Sequence, residues 1–172
     1  MCTELDWDLL TKMKRQHAPA LAIGIGAVAG LRPMMAPAVI AWALRRGWIR
    51  AGRSPFARMV SASASKRIAE FAITELIADK LPFTRSRLNA APLASRVVSG
   101  AICGAAIHGT LKQPLAQGAV LGGLGALAGA ITGYYVRQRL NREMPDFAVA
   151  LLEDALAVGG GAVITALTAT AD

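Results

Sequence analysis

Charged and aromatic residues are scarce in this chain of 172 residues. Only 17% of the residues are charged and 5% are aromatic, whereas 54% are hydrophobic, and the mean hydropathy is +0.42. In soluble domains about a quarter of the residues are charged. A soluble protein of this composition would have too little polar surface to cover its core, so the composition favours a membrane protein.

Cysteine is also rare, and the two cysteines, Cys2 and Cys103, lie far apart in the sequence. This number and spacing exclude a disulfide framework and a cysteine metal site. The chain also lacks a nucleophile triad, a paired-histidine metal motif and a phosphate-binding loop. We therefore expect no enzymatic activity, no cofactor and no bound metal.

The net charge of +8 raises the question of a nucleic-acid partner. Nucleic-acid-binding domains place their basic residues along one face or stripe. Here the basic residues lie between apolar runs, which is the distribution that the positive-inside rule produces. We therefore expect the lipid bilayer, and no nucleic acid, as the partner of these charges.

Four apolar runs dominate the sequence, at residues 18–44, 97–110, 115–136 and 147–171. About 20 apolar residues cross the hydrocarbon core of a bilayer, and the backbone there must be helical to satisfy its hydrogen bonds. The second run is short, but it reaches this length if it begins at residue 90. The pattern predicts an all-α integral membrane protein with about four transmembrane helices. A polar segment at 1–17 precedes a single transmembrane domain at 18–171.

A further amphipathic helix is predicted at residues 59–80, where Pro82 ends it. Its apolar face carries Glu75 and Asp79 near the C-terminal end. Such a helix can lie on the membrane surface, re-enter the membrane or span it. A fifth span would reverse the predicted orientation of everything on one side of it.

The basic residues also predict an orientation. Fourteen of the 19 lysines and arginines lie between the first and second runs or between the third and fourth runs. Cytoplasmic loops are the ones enriched in such residues. We therefore expect a multi-pass protein of a bacterial inner membrane, with the long basic loop at 45–89 in the cytoplasm.

Two glycine-rich segments resemble each other. Residues 24–30 and 123–129 are identical at five of seven positions, and an acid-bearing helical stretch follows each copy. Small transport folds often contain inverted repeats. The similarity therefore predicts an internal repeat, inverted if it follows that pattern, unless it merely reflects low sequence complexity.

Small residues recur at four-residue spacing in all the apolar runs, which allows helices to approach closely where lipid gives no hydrophobic drive for association. One interpretation is a seam between the subunits of a homo-oligomer. The other, which we favour because all the runs carry the pattern, is packing within one bundle. The packing positions are Gly26, Gly122, Gly125, Gly129 and Gly133.

Arg32 is the only charged residue of the first run and lies about halfway along it. A charge at that depth costs about 3 kcal/mol, so we expect Arg32 to face the bundle interior and meet a carboxylate. Glu75 and Asp79 are one helical turn apart and can converge on one guanidinium or cation. Glu153 and Asp154 point about 100° apart, so at most one of them can face a given partner. The five residues would form either a functional polar site or a structural ion pair.

Prolines next to Arg32 predict a helix break. Pro33 and Pro37 each remove a backbone donor, and Gly30 adds backbone freedom. We expect the helix to be kinked or broken around 30–37, either for packing or to supply backbone groups at mid-depth that bind an ion. Free carbonyls there would also give Arg32 partners.

The motifs GLRP at 30–33, ELIADKLP at 75–82 and PLxxRxxxG at 92–100 resemble those of a family of small bacterial integral membrane proteins, which is known only as a domain of unknown function. The resemblance covers about residues 20 to 170. It implies an α-helical membrane domain and no particular reaction. The residues that it singles out are Arg32, Glu75, Asp79 and Arg96.

Three functions fit these observations. The leading one is a small transporter or channel-like protein whose polar site comprises Arg32 and the pair Glu75 and Asp79, with Glu153 or Asp154 contributing. The second is a non-transporting scaffold or assembly factor that packs through its glycine-rich helices. The third is a lipid-handling flippase or enzyme that uses the basic loop on anionic headgroups.

Overall fold

The computed structural model describes residues 3–49, 66–68, 70, 71, 73 and 90–169. Five helices of eleven or more residues occupy these ranges: α1 (Thr3–Leu31), α2 (Met35–Arg45), α3 (Ala90–Thr110), α4 (Leu115–Leu140) and α5 (Asp146–Thr168). The described residues between 66 and 73 are also helical, and none of the described residues forms a strand. The predicted all-α class is thus confirmed for the described part of the chain.

Each apolar run of the sequence corresponds to a helix or a helix pair. The first run is divided between α1 and α2, and the other three lie in α3, α4 and α5. By length and composition, α4 and α5 are each able to cross a membrane. Helix α1 passes without interruption through position 17, so the polar segment predicted at 1–17 continues into the first apolar helix.

Prolines determine several of the helix ends. Arg32 precedes Pro33, and the residue before a proline is disfavoured in the α conformation, so α1 ends at Leu31. Pro114 and Pro145 immediately precede α4 and α5. Proline suits a helix start because the N–H it lacks has no intrahelical partner there.

Helices α1, α3 and α4 form the centre of the fold, and α4 packs along both of the others. Glycine makes this close packing sterically feasible. A Cβ atom on Gly26 would collide with the carbonyl oxygen of Gly122, and one on Gly104 would collide with that of Gly118. Helix α5 packs on α1 and α2 and touches α4 very little. A gap therefore separates α4 from α5, although they are consecutive in the chain.

The two glycine-rich copies pack against each other where α1 meets α4. Gly26 of the first copy faces Gly122, and its equivalent in the second copy, Gly125, faces Ile23. Ile23 and Gly122 are themselves equivalent positions. The same contact therefore occurs twice with the copies exchanged, which is the geometry of a local two-fold axis.

This arrangement corrects one sequence-based expectation. Residue numbers increase in the same direction along both helices at their contacts, since Gly125 faces Ile23 and Gly129 faces Ala27. Helices α1 and α4 consequently run in the same direction, and the local two-fold axis lies parallel to them. The expectation of an inverted repeat is wrong for this pair, because inverted copies would run in opposite directions.

Candidate functional site

The predicted helix break lies between α1 and α2 and comprises residues 32–34. Pro33 lies inside it. Pro37 lies in the first turn of α2, where a missing N–H breaks no intrahelical bond. Gly30 belongs to the last turn of α1 and faces α4, where a Cβ atom would collide with the carbonyl oxygen of Ala126. Close helix packing is therefore the structural requirement for glycine at position 30.

Helix α3 satisfies the backbone carbonyls that the break exposes. The carbonyl of Pro33 would accept from the N–H of residue 37 in a regular helix, but Pro37 has none, and the Ser99 hydroxyl donates to it instead. The Arg96 guanidinium donates from Nη1 to the carbonyl oxygen of Gly30 at 3.1 Å. Arg96 and Ser99 are both buried. The carbonyls that sequence reasoning assigned to Arg32 are thus engaged by two other side chains.

Arg32 is one of the most deeply buried side chains in the described part of the chain, with 1% exposure. Its guanidinium forms an ion pair with the carboxylate of Asp154 on α5, which is itself 14% exposed. The ion pair joins the break to α5, whose other contacts with α1 and α2 include those of Gly160 with Val28 and of Gly161 with Val39. Of the four predicted partner acids, Glu75 and Asp79 lie outside the described residues.

Glu153 contacts a different arginine. Its Oε2 lies 3.4 Å from Nη1 of Arg137 on α4, and its side chain is nearly as buried as that of Arg32. Arg137 also donates three hydrogen bonds of 2.8 to 3.1 Å to Asp146 at the start of α5. Asn141, in the turn between the helices, donates to the same carboxylate at 2.9 Å.

Sequence reasoning missed Arg137 as a site residue, because it counted this arginine only among the basic residues that set the orientation. The available signal was the short connection between α4 and α5, which ends at Asp146. A tight turn between two apolar helices places an arginine in the last turn of the first helix close to an acid in the first turn of the second.

A groove with a cavity of about 350 Å³ opens between α4 and α5. Helix α1 forms its floor with Ala27 and Leu31, and Gly129 and Gly133 of α4 leave space beside them. The only charged residues among those that line it are Arg137 and Glu153. The remaining lining is apolar apart from Thr132, so the groove is a largely apolar space with one ionic contact across it.

Four of the five predicted packing glycines are buried inside the bundle, and Gly133 is half-buried beside the groove. Gly26 and Gly122 face each other, Gly125 and Gly129 face the backbone of α1, and Gly133 faces the side chain of Leu31. These surfaces are covered by helices of the same chain. Within the described ranges, no three histidine, cysteine or acidic side chains lie close enough together to hold a metal ion.

Residues 20–170 match the family described as Domain of unknown function (DUF4126). The match covers most of the chain, which therefore belongs to this family, and the family resemblance inferred from the sequence is confirmed. No curated protein matches the chain, and no solved structure does either.

Proposed function

We propose that the chain is a multi-pass protein of a bacterial inner membrane, in which α1, α3, α4 and α5 cross the bilayer. The exposure of its helices supports this proposal. Only 33% of the most apolar stretch of α4 and 28% of that of α5 are buried. A core helix of a soluble protein would be mostly buried, whereas a lipid-facing helix keeps its leucines and valines on the outside.

Helix α2 turns back along α1. Arg32 at the break meets Asp154 of α5, whereas Val39 of α2 meets Gly161, two turns further along α5.

The aromatic residues consequently lie toward both ends of the bundle. Trp42 and Trp48 stack edge to face at the end of α2, with ring centroids 4.8 Å apart. Tyr134 and Tyr135 lie toward the opposite end, because α4 runs in the same direction as α1. Tryptophan and tyrosine favour the membrane interface, so both ends would lie at interfaces. We expect the end that carries the arginines after Tyr135 to face the cytoplasm.

Within that membrane protein we propose a transport function, and the observation that carries it is the Arg32–Asp154 ion pair at the break between α1 and α2. Ionisable residues inside a membrane mark ion and proton pathways, and transporters form their binding sites where membrane helices are interrupted. The break lets α2 move relative to α1, and the ion pair ties that movement to α5. Protonation of Asp154 would release Arg32 and uncouple the two elements.

The scaffold alternative depends on glycine surfaces that bind partner helices. The glycines named for it face other helices of the same chain, so they offer no free seam. Homo-oligomerisation through another face stays a prediction. The lipid-handling alternative has no residue in the described part of the chain that distinguishes it from a transporter.

Proton flux into liposomes tests the transport proposal. The purified protein is reconstituted with the pH dye pyranine trapped inside, and a potassium gradient with valinomycin makes the interior negative. We expect the internal pH to fall faster than in protein-free vesicles. In the Asp154→Asn protein the rate should return to the protein-free level, because the titratable group is gone.

Glu143→Gln is the matched control, since it also removes one carboxylate but from an exposed position in the turn between α4 and α5. Its flux should equal that of the unmodified protein. Equal rates in vesicles with and without the unmodified protein contradict the proposal. So does full flux through a folded Asp154→Asn protein.

A further inference from the structure

The groove between α4 and α5 has no part in the proton pathway proposed above. We propose that it holds one acyl chain of a phospholipid from the cytoplasmic leaflet, as a resident lipid and not as a substrate. This inference goes beyond proton flux and rests only on the proposed membrane placement of the helices. It follows from the length, the width, the opening and the lining of the groove.

The groove follows one half of α4. Its lining on that helix begins at Ala128, about halfway along, and ends at Leu140, the last residue of α4. At about 1.5 Å per residue this stretch is about 18 Å long, slightly more than half of the roughly 30 Å hydrocarbon core. Leu140 lies at the end of the bundle that we expect at the cytoplasmic surface. The groove therefore runs from that interface to mid-depth, as does an acyl chain of one leaflet.

The groove is too narrow for a helix. A volume of about 350 Å³ spread over about 18 Å gives a cross-section of about 20 Å². A helix with its side chains is about 10–12 Å across and needs about 80 Å² or more. A hydrocarbon chain carries no side groups and is much slimmer than a helix. The width therefore favours a lipid chain over a helix of a partner protein or of a second copy.

The groove opens sideways to the surrounding bilayer. Val136 of α4 and Leu152 and Leu156 of α5 line it, and each is about half exposed. An acyl chain of a neighbouring lipid can therefore enter between these side chains without leaving the hydrocarbon core. Ala27 and Leu31 of α1 close the opposite side and would contact a chain that is fully inserted.

The lining of the groove suits an uncharged, apolar occupant. Its two charged residues, Arg137 and Glu153, form an ion pair with each other, so the lining has no net charge. Water in a cavity needs two to four polar partners, and between Ala128 and Val136 the lining side chains of α4 include only one polar group, the Thr132 hydroxyl. An empty space would forfeit dispersion contacts. At this depth the acyl chains of lipids are the apolar material that fills it.

Photolabelling in vesicles tests this assignment with phosphatidylcholine that carries a diazirine on one acyl chain. The full-length protein is reconstituted, illuminated and digested, and mass spectrometry locates the modified residues. A diazirine close to the headgroup should label the groove near Leu140 and Val149. A diazirine at the chain end should label it near Ala128 and Leu156 and should reach Ala27 on the floor, because the chain points toward mid-depth.

Two neighbouring leucines of α5 provide a matched pair of variants. Leu151 and Leu152 are both 46% exposed, but of the two only Leu152 lines the groove. Ile131, which is 45% exposed on another face of α4, meets any surrounding lipid and serves as the internal standard. Leu152→Trp should lower groove labelling relative to Ile131 labelling by roughly fivefold or more, because the larger side chain overfills the groove. Leu151→Trp should leave this ratio unchanged.

Ala128→Phe fills the groove from the α4 side and should lower the ratio as Leu152→Trp does. The assignment is overturned if the unmodified protein is labelled at Ile131 but not in the groove, as a groove filled with water would be. It is also overturned if Leu151→Trp lowers the ratio as much as Leu152→Trp. A chain-end diazirine that labels the Leu140 end would overturn the cytoplasmic origin of the lipid.

The membrane placement, the lipid site and the transport function can fail separately in these experiments. Failure of the protein to float with the vesicles would contradict the membrane placement. Groove labelling combined with absent proton flux would contradict the transport function and leave the lipid site standing. Proton flux without groove labelling would overturn the lipid site alone.

Discussion

Glu153 and Asp154 are adjacent on α5, yet their carboxylates form ion pairs with arginines on two different sides of that helix. Asp154 pairs with Arg32 at the break between α1 and α2, and Glu153 contacts Arg137 on α4. Consecutive helical residues point about 100° apart, so one turn of α5 connects the break to the groove. Loss of either ion pair should therefore have a separate, measurable consequence.

Single deletions in the Arg32–Asp154 ion pair should overstate what the pair contributes to stability. Arg32→Met leaves a largely buried carboxylate, and Asp154→Leu leaves a buried guanidinium, so each should lower the free energy of unfolding by about 3 kcal/mol or more. The double variant should be more stable than either single variant, because it buries no uncompensated charge. Reversible unfolding in detergent measures all three.

Arg139→Gln serves as the control for these variants, since Arg139 is exposed near the end of α4. Its unfolding free energy should stay within about 0.5 kcal/mol of that of the unmodified protein. Strictly additive losses in the double variant would show that the two side chains contribute independently and not as a pair.

Gly26 should tolerate no side chain. A Cβ atom there would collide with the backbone of Gly122, so Gly26→Ala has to force α1 and α4 apart and should lower the melting temperature. A Cβ atom on Gly159 of α5 would meet nothing within 4 Å, and Gly159→Ala should raise stability slightly through helix propensity. Thermal unfolding in detergent compares the Gly26→Ala and Gly159→Ala variants. Equal melting temperatures of the two variants would refute the close packing of α1 and α4.

Ser99 should stabilise the fold, because Pro37 lacks the N–H that would otherwise bond the Pro33 carbonyl. Ser99→Ala leaves the Pro33 carbonyl without its donor, which costs about 1–3 kcal/mol for a buried group. Adding Pro37→Ala restores an N–H four residues after Pro33, so the double variant should recover part of the loss. Unfolding free energies measure the rescue.

Ser95→Ala is the matched serine control, because Ser95 is exposed and donates only to the Pro92 carbonyl of its own helix. It should have little effect. Failure of Pro37→Ala to restore any stability in the Ser99→Ala background would mean that the hydroxyl acts through something other than the Pro33 carbonyl.

The proposed orientation can be tested by cysteine labelling. With Cys2 and Cys103 replaced by alanine, Arg142→Cys, in the exposed turn after α4, should react with a membrane-impermeant maleimide only after the cytoplasmic surface is opened. Lys112→Cys, in the exposed turn between α3 and α4, should react from the outside. The reverse pattern would show that the turn after α4 lies outside.

Some features could be predicted from one stretch of sequence. The helical runs follow from apolar length, and the interruption near Arg32 follows from the missing donors of Pro33 and Pro37. The different directions of Glu153 and Asp154 follow from the helical period. Each depends on covalent geometry or on local backbone sterics, which act between residues that are close in the chain.

Other features required the tertiary structure. Helical periodicity assigns Asp154 to a face of α5, but only the packing of α5 against α1 and α2 decides that this face meets Arg32. The tertiary structure also decides that Gly30 allows close packing with α4, that the two glycine-rich copies run parallel, and that Arg137 lies at a groove.

The sequence by itself determined which residues are helical, where the first helix is interrupted and which charges had to find partners. Only the tertiary structure decided which partner each charge received. The physical reason is that apolar faces and small residues are nearly interchangeable between helices in the sequence, whereas backbone contacts at positions such as Gly26 and Gly122 allow one arrangement of the helices.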